Sequence, residues 1–172
     1  MNGLRNVVLL AAYSLTAVSI PAQACSCANL CKPESECIKQ EFKYAAAVFV
    51  GTPVEVVAQP YELPLGLDHK IETVNYHVRF VVKERFKGIS SSTAESNNGS
   101  GGGDCSYGRM DVGRDYLIYA QSVSPPSVVS IHGCSRTRPF LTRPFPDDKW
   151  SKSEKKHQRK ELSLLNKLSR TR

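Results

Sequence analysis

The clearest pattern along the chain is a strict alternation between Thr73 and Phe86. Val74, Tyr76, Val78, Phe80 and Val82 fall on one face, while Asn75, His77, Arg79 and Lys83 fall on the other. A period of two over this length predicts a half-buried β-strand. Tyr44 to Val57, dense in Val and Ala, predicts a second strand, with Gly51-Thr52-Pro53 marking a bulge or bend. Asp115 to Gln121 (DYLIYAQ) and Ser127 to Gly133 (SVVSIHG) predict two more, separated by Ser124-Pro125-Pro126. Between them, Gln59 to Lys70 carries two prolines and a glycine and predicts a loop. Ser90 to Gly103 is a Ser/Gly/Asn-rich stretch that predicts a flexible loop. Cys25 to Cys37 lacks periodicity and predicts an ordered loop pinned by bridges. Short strands with turn signals and no alternating helices indicate a mainly β fold, a small barrel or sandwich. Closing the barrel would remove exposed strand edges.

The C-terminal part differs in kind. Ser151 and Glu154 have capping-box spacing, and Leu162, Leu165 and Leu168 follow at near-helical intervals. Residues 147–172 are therefore expected to form a basic amphipathic helical tail. Its leucines would pack on the barrel; the alternative is contact of residues 149–172 with an anionic surface.

The first 24 residues have the layout of a secretory signal peptide: Arg5, an apolar run from Val7 to Val18, then Ala22-Gln23-Ala24 as a small-x-small cleavage site. The run falls short of the roughly 18 apolar residues a spanning helix needs. Lipidation of Cys25 would call for an aliphatic residue three places earlier, where Ala22 stands. The expectation is a secreted, periplasmic or extracellular protein beginning at Cys25, and 148 residues suffice for one domain over 25–146 plus the tail.

All six cysteines, Cys25, Cys27, Cys31, Cys37, Cys105 and Cys134, follow the cleavage site. An even number in an exported chain predicts three disulfides. The spacing C-x-C-x3-C-x5-C matches no paired zinc-ligand pattern. Cys25 and Cys27 are too close to bridge without strain. Cys31 and Cys37 can close a local loop, which leaves the two leading cysteines for the two distant ones. Geometry alone leaves open which joins which.

Charge changes the picture only at the end of the chain. Residues 25–148 hold 13 Lys/Arg against 14 Asp/Glu, and residues 149–172 hold 9 against 2. The basic character belongs to the tail, so no nucleic-acid partner is expected for the barrel. Catalytic signatures are missing: there is no GxSxG, no HExxH and no phosphate-cradling loop. His69, His77, His132 and His157 are scattered, and His77 on a polar strand face reads as solvated. Asn98-Gly99-Ser100 is a formal glycosylation sequon. The expectation is a non-enzyme with no intrinsic cofactor.

The distinctive group is the freed N-terminus. The α-amine and carbonyl oxygen of Cys25 would form a five-membered chelating pair. An α-amine with a pKa of about 7.7–8.0 can release its proton to a metal near neutral pH. Catalytic zinc sites keep an open position that such a pair could occupy.

Cys25-Ser26-Cys27, AAAVFVG (Ala45 to Gly51), FKG (Phe86 to Gly88), Cys105 before DYLIYA, and SIHGCSRT around Cys134 appear in that order. Together, from about Cys25 to Pro139, they resemble the tissue inhibitors of metalloproteinases and, more broadly, the netrin-like domain. The resemblance implies a closed OB-fold-like barrel stapled by disulfides Cys25–Cys105 and Cys27–Cys134, with a local Cys31–Cys37 bridge. It implies a metalloprotease inhibitor whose Cys25 amine and carbonyl bind the zinc of a target protease. Ser26 would enter the main specificity pocket, Cys27, Ala28 and Asn29 would line the cleft, and Gly103 and Asp104 would flank it. The partner would be a zinc metalloprotease, the chain itself a monomer, and zinc present only as the target's metal. Four features depart from the family: the local bridge, the lack of stiffening prolines after Cys27, a basic helix where the animal inhibitors carry a second disulfide-rich domain, and a Ser/Gly-rich loop beside the expected ridge. The alternative is a non-inhibitory exported binding module on the same barrel, with an unknown ligand and a basic tail meeting an anionic surface. A redox role for Cys25-Ser26-Cys27 is a third reading, and it would require free thiols.

Overall fold

A computed structural model describes residues 31–64, 70–100, 105–125, 127–140 and 150–171. Six strands form one sheet: β1 (Ala47–Pro64), β2 (Lys70–Lys87), β3 (Thr93–Asn98), β4 (Tyr116–Ser124), β5 (Val128–Ile131) and β6 (Arg138–Pro139). The neighbour order is β1-β2-β3-β5-β4-β6, and an added β1–β4 pairing closes the first five into a barrel. The β3–β5 contact is parallel and the other pairs are antiparallel, an OB-type arrangement. Among the described residues two helices pack outside it, α1 (Glu34–Tyr44) and α2 (Lys152–Ser169).

Two apolar clusters explain why some strands read as alternating and others as continuous. Inside the barrel lie Ala47, Phe49, Val78, Phe80, Met110, Ile118 and Val129, with Phe49 and Phe80 edge to face at 6.2 Å. Outside it, under the helices, lie Val48, Val50, Leu117 and Tyr119 with Ile38, Phe42, Phe86 and Leu165. β1 and β4 are thus buried on both faces, so AVFV and YLIYA are apolar at every position. β2 is covered mainly on its inner face: Val78 and Phe80 are fully buried, whereas Val81 is 42% exposed.

The strand expected over 44–57 starts later, at Ala47, because Tyr44 closes α1. The expected kink is present as register shifts on either side of Gly51-Thr52-Pro53. Gln59 to Lys70 is not a loop throughout. β1 and β2 run on as a hairpin arm that pairs as far as Pro64 with Lys70. Beyond Gly51, β1 pairs with β2 and no longer with β4, and an edge strand tolerates Pro60 and Pro64.

Ser90 to Gly103 is corrected more sharply, since Thr93–Asn98 is a barrel strand with Ala94, Ser96 and Asn98 buried. Their small inward side chains lie opposite Phe80, Val78 and Tyr76 of β2, and alternating small and large residues suits a narrow interior. Asn98 donates its side-chain amide to the Gly108 carbonyl at 3.0 Å. The buried sequon asparagine therefore cannot accept a glycan in the folded protein.

Cys31 to Cys37 is not all loop either. α1 starts at Glu34, its acidic first turn suiting a helix N-terminus. Ile38 and Phe42, four residues apart, face the barrel. Lys87 closes the helix from the other end, donating to the carbonyls of Phe42 (2.8 Å), Lys43 (3.0 Å) and Ala45. At Gly88 (φ 71°) an added Cβ would collide with the Ala46 carbonyl. The Phe86-Lys87-Gly88 triplet thus fills the outer core, caps α1 and makes the turn.

α2 has the expected capping box: Glu154 N–H donates to the Ser151 hydroxyl at 3.2 Å, and Ser151 N–H to the Glu154 carboxylate at 2.7 Å. Its inward face, however, is centred on Gln158, Glu161 and Leu165, while Leu162 and Leu168 pack only at the margin. Glu161 is fully buried. It accepts from Tyr119 Oη at 2.8 Å and Arg136 Nε at 3.2 Å, and Arg138 pairs with its other oxygen. Arg136 reaches on to Glu34 of α1 at 3.4 Å. Burial pushes the Tyr119 phenol up to about 12, with Arg136 and Arg138 pulling the other way.

Replacing one partner of a buried ion pair strands the others, so Glu161→Ala is expected to cost about 3–5 kcal/mol in urea unfolding. Because the folded Tyr119 pKa lies above the ordinary 10.0, its contribution is complete below pH 10 and is lost as pH rises toward 12. Urea melts of wild type and Tyr119→Phe across that range should show the variant losing less stability.

Candidate functional site

The two distant cysteines, Cys105 and Cys134, are far apart in sequence, and the barrel brings their segments together. Ser106 and His132 form an isolated antiparallel bridge. The Gly133 N–H donates to the Cys105 carbonyl at 2.7 Å. Cys105 takes a left-handed conformation (φ 59°), uncommon for a residue with a Cβ. The Cys134 N–H donates to Nδ1 of His132 at 3.1 Å. Gly133 permits this close approach, because an added Cβ would lie 2.7 Å from the Ser106 carbonyl oxygen.

Both segments are anchored behind the cysteines. Tyr107 stacks edge to face on Tyr116 at 6.2 Å, and burial raises its phenol to about 12. The Asp111 N–H donates to Tyr116 Oη at 3.0 Å. After Cys134, a turn forms through Ser135 N–H to the His132 carbonyl at 3.0 Å. Thr137 Oγ1 then accepts from the Tyr119 N–H at 2.9 Å, and β6 pairs with β4. Cys134 is thereby fixed two residues before the arginine that meets Glu161.

Cys105 and Cys134 are both disulfide-bonded, and the described residues include no free cysteine. Cys31 and Cys37 are bridged to each other, Cα to Cα 5.4 Å, across the first turn of α1. The expected ridge residues Cys25, Ser26, Cys27, Ala28, Asn29, Gly103 and Asp104 lie outside the described residues, as do the expected Cys25–Cys105 and Cys27–Cys134 pairings. What the structure brings together is the pair of distant cysteines that the ridge would attach to.

No group of His, Cys, Asp or Glu suited to a metal is present among the described residues. His77 is not simply solvated. Its Nδ1 lies 2.9 Å from Asn97 Oδ1, and its Nε2 lies 3.8 Å from a Glu95 carboxylate oxygen across the β2–β3 ladder. His132 has a positioning role that spacing did not suggest. Sequence reasoning also missed the Glu161 cluster, although its signal is present. Arg136 and Arg138 alternate along an extended segment, and Glu161 sits between Gln158 and Leu165 on one helical face. Compared with models of known protein families and with curated protein sequences, the chain matches none.

Gly133→Ala should force the Cys105 and Cys134 segments apart. A loss of about 1–3 kcal/mol in thermal or urea unfolding is expected, along with faster reduction of disulfides under mild dithiothreitol. Alanine at Gly113, which has open space around its Cα, would feel backbone strain but leave the reduction rate unchanged.

Proposed function

We propose that the chain is an exported inhibitor of zinc metalloendopeptidases, resembling the tissue inhibitors of metalloproteinases with their netrin-like domain. Cleavage after Ala24 frees the amine of Cys25, and that amine with the Cys25 carbonyl binds the target's zinc. Ser26 enters the specificity pocket, and Cys27, Ala28, Asn29, Gly103 and Asp104 contact the cleft walls. The zinc belongs to the protease.

One observation supports this reading: two oxidised cysteines lie on distant segments that pair with each other through the Ser106–His132 bridge and the 2.7 Å Gly133–Cys105 hydrogen bond. A C-x-C terminus needs two neighbouring anchor points, and the pairing of these two segments is consistent with that need. Anchoring would hold the chelating pair in one orientation, which lowers the entropic cost of binding. Two bridges spanning long loops would each stabilise the fold by about 2–4 kcal/mol. An inhibitor also has to resist its target, and a closed barrel has few open edges for a protease to engage.

The test compares the mature chain beginning at Cys25 with a version carrying one extra Ala before it, against a panel of zinc metalloendopeptidases. The mature chain should inhibit, and the extended one should be weaker by at least about 100-fold, since it loses the amine–zinc contact. Equal inhibition by both would rule out amine chelation. Inhibition by neither would leave the barrel as a binding module for another ligand.

A further inference from the structure

α2 divides its residues cleanly between two faces. Gln158, Glu161 and Leu165 are buried against the barrel. Lys152, Lys155, Lys156, Arg159, Lys160 and Lys167 are all exposed. Intervals of three, four and seven place these six cations on one side of the helix, running for about 22 Å at 1.5 Å per residue. Neither carboxylate of the helix neutralises them. Glu154 is engaged in the capping box, and Glu161 is buried with Arg136, Arg138 and Tyr119. Among the described residues no ion pair engages any of the six. A helix that needed charge only for solubility would not require its acids to be withdrawn from one whole side.

We propose that the outward face of α2 is a docking surface for anionic lipid bilayers. Five of the six cations are lysines, which act as hydrated point charges and suit a diffuse field of headgroup phosphates. Bidentate recognition of individual phosphates favours arginine. The face carries no aromatic side chain on which nucleic-acid bases could stack. Lys152, Lys155, Lys156, Arg159 and Lys160, with Ser163, line one open depression on this side of the helix, which gathers five of the six cations toward a single partner surface. Clusters of four to eight Lys/Arg on one helix face are a common device for such contact. The leucines pack toward the outer wall of the barrel, Leu165 fully buried and Leu162, Leu164 and Leu168 partly, so the contact is electrostatic adsorption without insertion. No helix among the described residues is long and apolar enough to cross a membrane.

The mature oxidised chain can be sedimented with vesicles of phosphatidylcholine alone or mixed with phosphatidylglycerol, at about 0.1 M and about 1 M salt. Binding is expected only to the mixed vesicles and only at the lower salt. The variant Lys155→Gln/Lys156→Gln/Arg159→Gln/Lys160→Gln should weaken it by about 100-fold or more. A control with equal charge loss elsewhere, Lys32→Gln/Lys39→Gln/Arg79→Gln/Arg85→Gln, should retain most of it. Matching thermal melts would show that both variants fold, and the salt dependence of the wild type provides a test that needs no variant. Failure to bind mixed vesicles at the lower salt would overturn the proposal, as would equal weakening by the control. Capture by a sulfated polysaccharide without capture by vesicles would overturn it too.

Discussion

A carboxylate with no access to water has to keep its partners, and Glu161 draws its partners from across the fold. Its hydrogen bonds reach Tyr119 on β4 and Arg136 beyond Cys134, and Arg138 in β6 completes the cluster. Arg136 extends the same chain of charges to Glu34 on α1. Removing the charge from water is expensive, and only several well-placed partners offset it. The contact therefore admits few rotations of α2 about its axis. With Glu161 turned inward, Leu165 fills the outer core and the lysines are left outside.

The same contact steadies the cysteine edge. Arg136 lies two residues after Cys134, and Thr137 between the two arginines bonds the backbone of Tyr119. Any shift of this segment would have to break the buried cluster or the β4–β6 pairing. On the other side, Cys105 is held by the Gly133 hydrogen bond and by the Tyr107–Tyr116 contact just beyond it. The Cys105 and Cys134 segments and the helix bearing the proposed lipid-facing stripe thus share one buried support.

Legibility in the sequence followed how local the cause was. The alternation of β2, the capping box of α2 and the bend near Gly51 were all legible, because each depends on residues close together. β3 was not, since Ser and Asn favour loops until the neighbouring Val78 and Phe80 demand small inward partners. The hairpin arm past Gln59 was hidden by Pro60 and Pro64, which only an edge position tolerates. α1 was hidden because its helical face is short and its C-terminal cap, Lys87, comes from another element.

By itself the sequence determined a mainly β fold, the basic helix and the even complement of cysteines, because period, capping and composition act over a few residues. Only the tertiary structure decided that Cys105 stands beside Gly133 and Cys134, that Asn98 is buried, and that Glu161 is the centre of the helix's inner face. Each of these depends on partners 10 to 42 residues away in the chain. Closing the barrel brings such partners together, and no local preference encodes that closure.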